Sequence, residues 1–524
     1  MSRMSVLSGN IYINILAFAV SILAIIVISF KWWFGYWERR NVYAPKPSIP
    51  FGNAKDLILQ RVTMGVDIKN AYDDIKGRQN KFGGYYFLGK PIFIPVDLDL
   101  VKTMLTKDFK HFTNHTFVVD EENEPLTGHL FGLKDSKWKK LRSKLTPTFT
   151  SGKMKMMFQT LLDCSDNLET LVDKYIQERQ PIDIKDVSAR FTTDIISSCA
   201  FGIECNSLKN PNCEFREYGR KLFDITIWEG VVRLIAFVAP DLVIYLKLKI
   251  LRKELSNFFM NIVRETVNYR ETNNIIRKDF MHLLIQLKNN VKIKESNVGD
   301  LINIDSIDNN APSLTMNEIA AQAFVLFVAG FETSSTTTTF CLYELAENPN
   351  LQDQARDEIN TILEKYGGKL TYDGVMELVY LEKCINETLR KYPPVPVHTR
   401  ECTETYKVPG TNLVINKGQF VFIPVMGIQN DPEYYPDPDK FDPERFSEEI
   451  KTKRHSAAWT PFGDGPRACI GLRFGLMQTK VGLVTLLKRF KFTLHPKTEL
   501  PLLFDPKGFI LAAKNGIWLK AERI

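Results

Sequence analysis

The stretch Phe462-Gly463-Asp464-Gly465-Pro466-Arg467-Ala468-Cys469-Ile470-Gly471 places a cysteine inside a glycine-rich loop, just before an apolar run that begins at Leu472. The glycines at positions 463 and 465 permit a tight loop, and the run that follows is typical of a helix. A thiolate at a helix N-terminus is stabilised by the helix dipole and by free backbone N–H groups. Cys469 is therefore predicted to act as a metal ligand or as a nucleophile.

The sequence of this loop has two other interpretations. The pattern Gly463-x-Gly465-x-x-Ala468 formally matches a dinucleotide-binding fingerprint, which requires a preceding strand and an acidic residue about 20 positions later. Residues 456–460 are no strong strand, and residues 485–498 contain no Asp or Glu. A zinc site would require paired ligands, and the sequence has neither CxxC nor HExxH. The remaining cysteines are predicted to be buried thiols: Cys164, Cys199, Cys205, Cys213, Cys341, Cys384 and Cys402.

The pattern Phe-x-x-Gly-x-Arg-x-Cys-x-Gly resembles the haem-binding loop of the cytochrome P450 superfamily at every fixed position. The resemblance implies a mainly α fold with a smaller β part that binds haem b. It implies that Cys469 is the axial thiolate ligand of the haem iron, a ligand that favours cleavage of the O–O bond. It also implies that Phe462 shields the sulfur and that Arg467 pairs with a haem propionate.

A second segment, Ala329-Gly330-Phe331-Glu332-Thr333-Ser334, resembles the oxygen-binding helix of the same superfamily. Thr315-x-x-Glu318 is a capping box and predicts the start of this helix. The resemblance assigns proton delivery to Thr333 and Glu332, because O–O cleavage requires protons. The alternative for Thr333 is a hydroxyl that bonds back to a carbonyl of its own helix.

Further positions match the superfamily in the expected order. Glu387-x-x-Arg390, followed by Arg445 in Pro443-Glu444-Arg445-Phe446, resembles its structural Glu–Arg–Arg triad. Trp138-x-x-x-Arg142 places a ring and a guanidinium on one helical face, where the resemblance directs both toward a propionate. Arg400 occupies another propionate position, with His398 as a further candidate.

The N-terminus contains twenty uncharged residues, from Ile11 to Phe30, enough to cross about 30 Å of hydrocarbon. A cleaved signal peptide would need a shorter apolar core and a small-residue cleavage site. Here an aromatic and basic flank follows instead, which places the rest of the chain in the cytosol by the positive-inside rule. We expect a single-pass anchor of the endoplasmic reticulum membrane over residues 1–31, a flank and proline-rich spacer over 32–52, and a haem domain with its site on the cytoplasmic face over 53–524.

Composition narrows the class of protein. The chain of 524 residues is 44% hydrophobic and 25% charged, which excludes a disordered or collagen-like protein. Eight cysteines are too few for a disulfide scaffold, so a reducing compartment is expected. The formal charge of +7 is dispersed and partly membrane-flanking, so nucleic acid is not an expected partner.

Three other segments carry structural expectations. Residues 83–97 predict a hairpin around a Gly-Lys-Pro turn, and residues 136–290 are predicted to be mostly helical. Lys288–Pro312, rich in Asn, Asp and Lys, predicts a long surface loop. Residues 222–250 are apolar but interrupted by charges. Core packing is the favoured interpretation, and a helix pair at the membrane surface is the alternative.

The resemblance covers essentially the whole chain and implies a monooxygenase that takes electrons from NADPH through a flavoprotein reductase, with cytochrome b5 as a further partner. Residues 144–153, KLTPTFTSGK, resemble insect microsomal members of the detoxifying clade, whose substrates are plant toxins, insecticides and other lipophilic compounds. A basic surface on the Trp138 helix is the expected docking site of an acidic electron donor: Lys137, Lys139, Lys140 and Lys144. The expected pocket walls are Phe112, Phe117, Val118, Phe324, Phe327, Val395, Val397 and Phe509 to Leu511.

Three rivals stay open at this point. The first is a biosynthetic hydroxylase of a hormone or fatty acid. The second is a haem-thiolate isomerase that acts on peroxides, against which the intact Glu332-Thr333 pair argues. The third is a membrane-tethered carrier of lipophilic ligands in which Cys469 is merely structural.

Overall fold

Helices form the larger part of the chain in a computed structural model that describes residues 2–289 and 313–524, with side chains from residue 11. The loop expected over Lys288–Pro312 lies outside the described residues from position 290 onward. The helices are α1 Ser2–Phe34, α2 Lys55–Ile58, α3 Met64–Gly77, α4 Leu98–Leu105, α5 Asp135–Leu145, α6 Ser151–Gln177, α7 Ile184–Ile196, α8 Glu214–Phe223, α9 Ile227–Val238, α10 Pro240–Tyr245, α11 Lys253–Thr272, α12 Phe280–Lys288, α13 Met316–Glu347, α14 Pro349–Lys365, α15 Tyr372–Glu377, α16 Val379–Lys391, α17 Val425–Gln429, α18 Glu448–Lys453 and α19 Leu472–Leu487.

Short strands form small sheets beside the helices. They are β1 Phe82–Phe87, β2 Lys90–Pro95, β3 Ile182–Asp183, β4 His398–Glu401, β5 Tyr406–Lys407, β6 Val414–Ile415, β7 Phe420–Ile423, β8 Phe490–Leu494 and β9 Trp518–Arg523. The strand orders are β1-β2-β7-β4, β3-β9-β8 and β5-β6. The expected fold class, mainly α with a smaller β part, is confirmed.

The predicted hairpin is β1–β2, in antiparallel register from the Phe82–Pro95 pair to the Phe87–Lys90 pair. Its turn lies at Leu88-Gly89, earlier than the predicted Gly-Lys-Pro turn, so Lys90 and Pro91 belong to β2. Leu88 has a φ of 51°, the left-handed conformation that such two-residue turns require. β2 then pairs in parallel with β7, which carries β4 on its other edge.

α13 is the central helix of the domain. The side chain of Thr315 accepts from the N–H of Glu318, and the Glu318 carboxylate accepts from the N–H of Thr315, which confirms the predicted capping box. The helix packs against α7, α19, α11 and α16 within the larger of two hydrophobic cores. A second core lies under the β1-β2-β7-β4 sheet.

α1 and α13 are long and apolar enough to cross a membrane among the described residues, but they differ in burial. The most apolar window of the N-terminal helix is 0% buried, whereas that of α13 is 61% buried. α13 is therefore a core helix, and α1 is the candidate membrane anchor.

The flank that follows α1 is seated on the sheet. Trp37 is almost fully buried, and its indole N–H donates to the carbonyl of Tyr85 at 3.3 Å. Gly84 leaves room for that ring, since a Cβ there would lie 2.2 Å from the indole. The Tyr43 carbonyl accepts from the N–H of Gly84. The segment is thus packed against β1 and is not a free spacer. It holds the domain in a set position at the base of α1.

α9 and α10 present an exposed apolar surface. Ile227, Trp228 and Tyr245 are 90%, 63% and 83% exposed, whereas Val232 and Val243 point inward and are buried. The core-packing interpretation of residues 222–250 is therefore wrong for the outward face, and the alternative of a helix pair at a membrane surface fits the exposure.

Candidate functional site

A cavity of about 380 Å³ lies between α13, α5, β4 and the loop that carries Cys469. Its lining is mostly aromatic and aliphatic, and no Asp or Glu of the described residues belongs to it. Such concave apolar sites with few polar groups are typical of ligand and cofactor pockets.

Cys469 forms part of the cavity wall. Of the eight cysteines, all of which the structure describes and all of which are free, it is the one that is exposed, and its surface is reached from the cavity. Burial away from bulk water raises the pKa of the thiol, while the N–H of Gly471 and the charge of Arg142 act in the opposite direction. Phe462 is held beside it, because the Cys469 N–H donates to the Phe462 carbonyl at 2.8 Å.

The Cys469 loop depends on two glycines with positive φ. Gly463 has a φ of 73° and Gly465 a φ of 68°, values that side chains rarely adopt. A Cβ at Gly465 would also lie 2.0 Å from the carbonyl oxygen of Leu105, at the end of α4. The loop is therefore pressed against α4 at a point where only glycine fits.

α5 carries two residues that were predicted to face the cavity. Trp138 and Arg142 both line it, one turn apart on the same face. The guanidinium carbon of Arg467 lies 4.0 Å from the centre of the Trp138 ring. Arg467 also donates to the carbonyls of Thr113, Leu130 and Leu133 at 2.7 to 3.1 Å. Burial lowers the pKa of Arg467 to about 9.

Arg400 lies at the same end of the cavity on β4. Its guanidinium is buried, burial lowers its pKa to about 10, and its Nε has no hydrogen-bond partner among the described residues. His398, on the same strand, lines the cavity and donates from Nε2 to the Thr460 carbonyl at 2.7 Å. Burial lowers the pKa of His398 to about 4, so its ring is neutral.

These features fit a haem. The buried Arg400 and Arg467 and the half-buried Arg142 bring positive charge to a cavity that no described carboxylate lines, and a buried charge needs a partner. The two propionates of haem b are anions that would supply it. The unpartnered Nε of Arg400 and the accessible sulfur of Cys469 lie on the lining of one cavity. The residues present would therefore hold the group through a thiolate ligand and cationic donors.

Thr333 and Glu332 diverge on α13. Thr333 lines the cavity, and its hydroxyl donates back to the Ala329 carbonyl at 2.6 Å, as the alternative interpretation anticipated. Glu332 does not belong to the cavity wall and forms an ion pair with Lys185 of α7 at 2.7 Å. Lys185 also donates to Ser335 and Thr336. The structure places the hydroxyl at the cavity and the carboxylate in a polar cluster behind it.

The Glu387, Arg390 and Arg445 side chains meet as the resemblance implies. Arg390 donates from Nε and Nη2 to the two oxygens of Glu387 at 2.7 and 2.9 Å, and Arg445 Nε lies 3.4 Å from Oε1. Arg390 also donates to the Gln429 carbonyl, and the Gln429 side chain accepts from the N–H of Thr460. Hydrogen bonds thus run from this buried group to the start of the Cys469 loop.

The predicted pocket walls are found in part. Phe117, Val395, Val397, Phe509 and Ile510 line the cavity, whereas Phe112, Val118 and Leu511 do not. Phe324 and Phe327 face away from it, into a cluster of rings from α8, α11 and the segment after α7. The apolar side chains of α13 that line the cavity are instead those of Val325, Leu326, Val328 and Ala329.

Some cavity residues carried no sequence signal. His115, Phe131 and Gln322 line the wall, and Gln322 accepts from the N–H of Leu130 at 2.8 Å. Isolated residues in the irregular segment before α5 have no periodicity, so only the fold brings them to the site. No sequence pattern predicted the Lys185–Glu332 pair either, since its members are far apart in sequence.

Comparison with known proteins agrees with this geometry. The family model described as cytochrome P450 matches residues 45–519. The chain is 42% identical over 496 residues to a probable cytochrome P450 6a14 of Drosophila melanogaster, covering 94% of this chain and 96% of that protein. It is 41% identical over 517 residues to cytochrome P450 6A1 of Musca domestica, covering 98% of each. The chain therefore belongs to the cytochrome P450 family of haem-dependent monooxygenases.

Proposed function

We propose that this protein is a membrane-anchored monooxygenase that inserts one oxygen atom of O2 into lipophilic foreign compounds, such as plant toxins or insecticides, and reduces the other atom to water. The observation that carries the proposal is the cavity itself. The Cys469 sulfur is on one wall, and aromatic and aliphatic side chains such as Phe117, Val328 and Phe509 are on others. A wall to which the described residues contribute no carboxylate favours uncharged, poorly water-soluble substrates.

The cofactor is haem b, which supplies the binding and activation of O2 when bound. Cys469 is the residue that would ligate its iron, and Phe462, whose carbonyl accepts from the Cys469 N–H, would shield the sulfur. Arg142, Arg400 and Arg467, with Trp138 beside Arg467, would hold the propionates. The charge-assisted bonds of these arginines are strong in a site that excludes water.

Thr333 is the proposed group for proton transfer inside the cavity. Its hydroxyl proton is donated to the Ala329 carbonyl, so the oxygen is free to accept from a group on the cavity side, and rotation of the hydroxyl would turn its proton toward that group. Glu332 would exchange protons with the outside through the half-exposed Lys185, to which it is paired. The two residues therefore act on different faces of one helix.

Electrons come from NADPH through a separate flavoprotein reductase, with cytochrome b5 as a further donor. The proposed docking surface is the outer face of α5, where Lys139 and Lys140 are exposed while Trp138 and Arg142 face the cavity. A positively charged surface near the haem accelerates encounter with an acidic donor.

The protein resides in the endoplasmic reticulum membrane. Residues 1–31 form a single-pass anchor, residues 32–52 form the flank seated on the sheet, and residues 53–524 form the catalytic domain on the cytoplasmic face. The exposed apolar helix α1 and the basic residues that follow it support this topology.

A carbon monoxide spectrum tests the ligand assignment. Reduced wild-type protein with carbon monoxide is expected to show the red-shifted Soret band of thiolate ligation, and the Cys469→Ser variant is expected to lose it. Cys402→Ser, at a buried thiol that does not line the cavity, is the matched control and should keep the band. A folded, haem-loaded wild-type protein without the band would refute the proposal and favour the carrier.

Substrate-binding difference spectra over a panel of compounds test the substrate class. Plant toxins and insecticides should bind and turn over in the presence of reductase, NADPH and O2. Tight binding and turnover of one endogenous hormone or fatty acid, with none of the foreign compounds, would instead identify a biosynthetic hydroxylase. Turnover of peroxides without reductase would identify an isomerase.

A further inference from the structure

Cys205 and Cys213 form a pair of neighbouring thiols to which the proposed function gives no role. Their sulfur atoms lie 2.7 Å apart, about 0.7 Å more than the length of a disulfide bond. Both cysteines are free and half-buried, and the four residues before Cys213, Lys209 to Asn212, are exposed. The pair therefore lies near the surface of the protein.

The fold brings the two sulfurs together without a covalent bond. Both cysteines belong to the connection between α7 and α8, and Cys213 is the N-cap residue of α8. The Asp194 carboxylate on α7 accepts from the N–H groups of Ser207 and Leu208 at 2.6 and 3.1 Å, which fixes the middle of this connection. Because the chain is already ordered around the two sulfurs, joining them costs the folded protein little further entropy.

A metal site does not explain the pair. A structural zinc ion is held by a tetrahedral set of ligands, and the part of the chain that the structure describes contains no group of three His, Cys, Asp or Glu that could hold a metal ion. Disulfides that form in cytosolic proteins are usually transient and redox-sensing. Two adjacent thiols near the surface of a domain that faces the cytosol therefore fit a reversible disulfide.

The pair connects two elements that both reach the cavity. Cys199 and Ala200, in the helical turn that follows α7, line the cavity, and so does Phe223, the last residue of α8. α8 is already tied to α7 by the ion pair between Arg216 and Asp186 at 3.2 Å. A covalent bond at the start of α8 would add a second tie between the same two helices.

We propose that Cys205 and Cys213 are a redox-sensitive modification site, which a low-molecular-weight disulfide such as oxidised glutathione converts into an intramolecular disulfide that fastens the start of α8 to the end of α7. This site is separate from the haem ligand Cys469, and its chemistry requires neither haem nor O2.

The reaction consists of two thiol–disulfide exchanges. Burial and the contact with Cys213 raise the pKa of the Cys205 thiol, so the Cys213 sulfur is the first nucleophile. Cys213 loses its proton and attacks oxidised glutathione, whose S–S bond breaks, and the glutathione that leaves takes up a proton. Cys205 then loses its proton and attacks the Cys213 sulfur of the mixed disulfide, and the second glutathione leaves as a thiol. The two protein thiols are thus oxidised, and the glutathione disulfide is reduced to two thiols.

The test equilibrates full-length, haem-loaded protein in buffers of oxidised and reduced glutathione. Wild type is compared with Cys205→Ser and Cys213→Ser, and Cys164→Ser, at another half-buried thiol, is the matched control. Mass spectrometry of non-reduced peptides detects the bond, and hydrogen–deuterium exchange measures the opening of α8. The same titration in urea measures how readily the bond forms in the unfolded chain.

Wild type and Cys164→Ser are expected to form the bond with an equilibrium constant at least about tenfold higher when folded than in urea, because the fold holds the sulfurs together. Dithiothreitol should reverse it. Oxidation should slow exchange of the α8 amides severalfold in these two proteins but not in Cys205→Ser or Cys213→Ser.

Free Cys205 and Cys213 thiols in folded wild type under oxidising conditions, a bond that forms equally well in urea, or unchanged exchange of α8 after oxidation would each overturn the proposal. These measurements on wild type decide even if a serine variant does not fold. The carbon monoxide band, recorded before and after oxidation, reports separately on Cys469 and on the proposed function.

Discussion

At the scale of single residues, the Cys469 loop shows how a close contact restricts sequence. Gly465 is required twice, by its positive φ and by the Leu105 carbonyl against it. Gly410 has nearly the same φ, 72°, but no atom lies within 4 Å of a Cβ placed there. The two glycines therefore share a positive φ and differ in whether a Cβ would meet a neighbouring carbonyl.

Gly465→Ala is expected to displace the loop and cut the haem-loaded fraction about tenfold or more. The backbone conformation alone costs an alanine about 1 to 2 kcal/mol, and the Leu105 carbonyl adds a collision that only movement of α4 or the loop can relieve. Haem content per protein, measured by pyridine haemochrome, checks it. Gly410→Ala carries the backbone cost without the collision and should load haem like wild type. Equal loading of both variants would show that the loop tolerates the side chain.

Sequence and structure differ in an informative way at this scale. Residues within short motifs, such as Phe462, Arg467 and Cys469, could be placed from the sequence because their spacing is local. Glu332 could not be placed in this way. Its motif position suggested a carboxylate at the cavity, but the carboxylate pairs instead with Lys185 on α7, which lies 147 positions earlier in the sequence. A pairing of that kind depends on tertiary packing, which no local pattern encodes.

At the scale of the element, α5 has two faces with different tasks. Trp138 and Arg142 face the cavity, and Lys139 and Lys140 face solvent. Lys137 is already paired with Glu121 at 2.6 Å, so part of the basic surface is neutralised within the protein. The separation follows from the 3.6-residue helical period, and the sequence was sufficient to predict it.

The double variant Lys139→Glu/Lys140→Glu is expected to slow reduction by the flavoprotein severalfold at low salt, because like charges repel an acidic donor. The difference should shrink as ionic strength rises, since salt screens exposed charges. Stopped-flow reduction under carbon monoxide at two salt concentrations measures it. Lys253→Glu/Arg264→Glu on α11, an exposed pair of the same charge, is the control. Equal slowing in both variants would rule out a specific surface on α5.

The apolar outward face of α9 and α10 is the element that sequence periodicity described least well. Within these two helices, Val232 and Val243 are buried, whereas Ile227, Trp228 and Tyr245 are exposed. A hydrophobic stretch shows the same sequence pattern whether it packs against protein or against lipid. Only the packing of neighbouring elements distinguishes the two cases.

In full-length protein in lipid nanodiscs, brominated lipids are expected to quench Trp228 if this face lies in the membrane interface. Trp228→Phe should therefore remove fluorescence that the bromolipids quench. Trp518→Phe, on β9, should remove fluorescence that they do not quench. Identical quenching of wild type and Trp228→Phe would place the surface in water.

At the scale of the whole molecule, helices and the central capping box were predictable because periodicity and caps are local. The sequence predicted which residues are apolar enough for the core but not which residues they contact. Phe324 and Phe327 are examples, because both face an aromatic cluster on the side of α13 away from the cavity. The rotation of a long helix is set by everything that packs around it. For α13, which is buried on most sides, a stripe of apolar residues does not reveal which side faces the site.

Buried neutral histidines give the whole molecule a predictable sensitivity to acid. His129 lies in the segment before α5, where its Nδ1 accepts from the N–H of Gly132 at 3.0 Å, and burial lowers its pKa to about 4. An unfolded histidine titrates near pH 6.5, so between about pH 6.5 and 4 the unfolded state binds more protons than the folded one. Folding stability therefore falls as the pH drops through that window and is independent of this residue above it.

The expected contribution of His129 is a loss of about 2 kcal/mol on going from pH 7.5 to pH 5. His129→Asn keeps an acceptor for the Gly132 N–H but cannot titrate, so its unfolding free energy in urea should fall less than that of wild type over this range. Equal pH dependence in wild type and His129→Asn would mean that His129 takes up its proton while the protein is still folded.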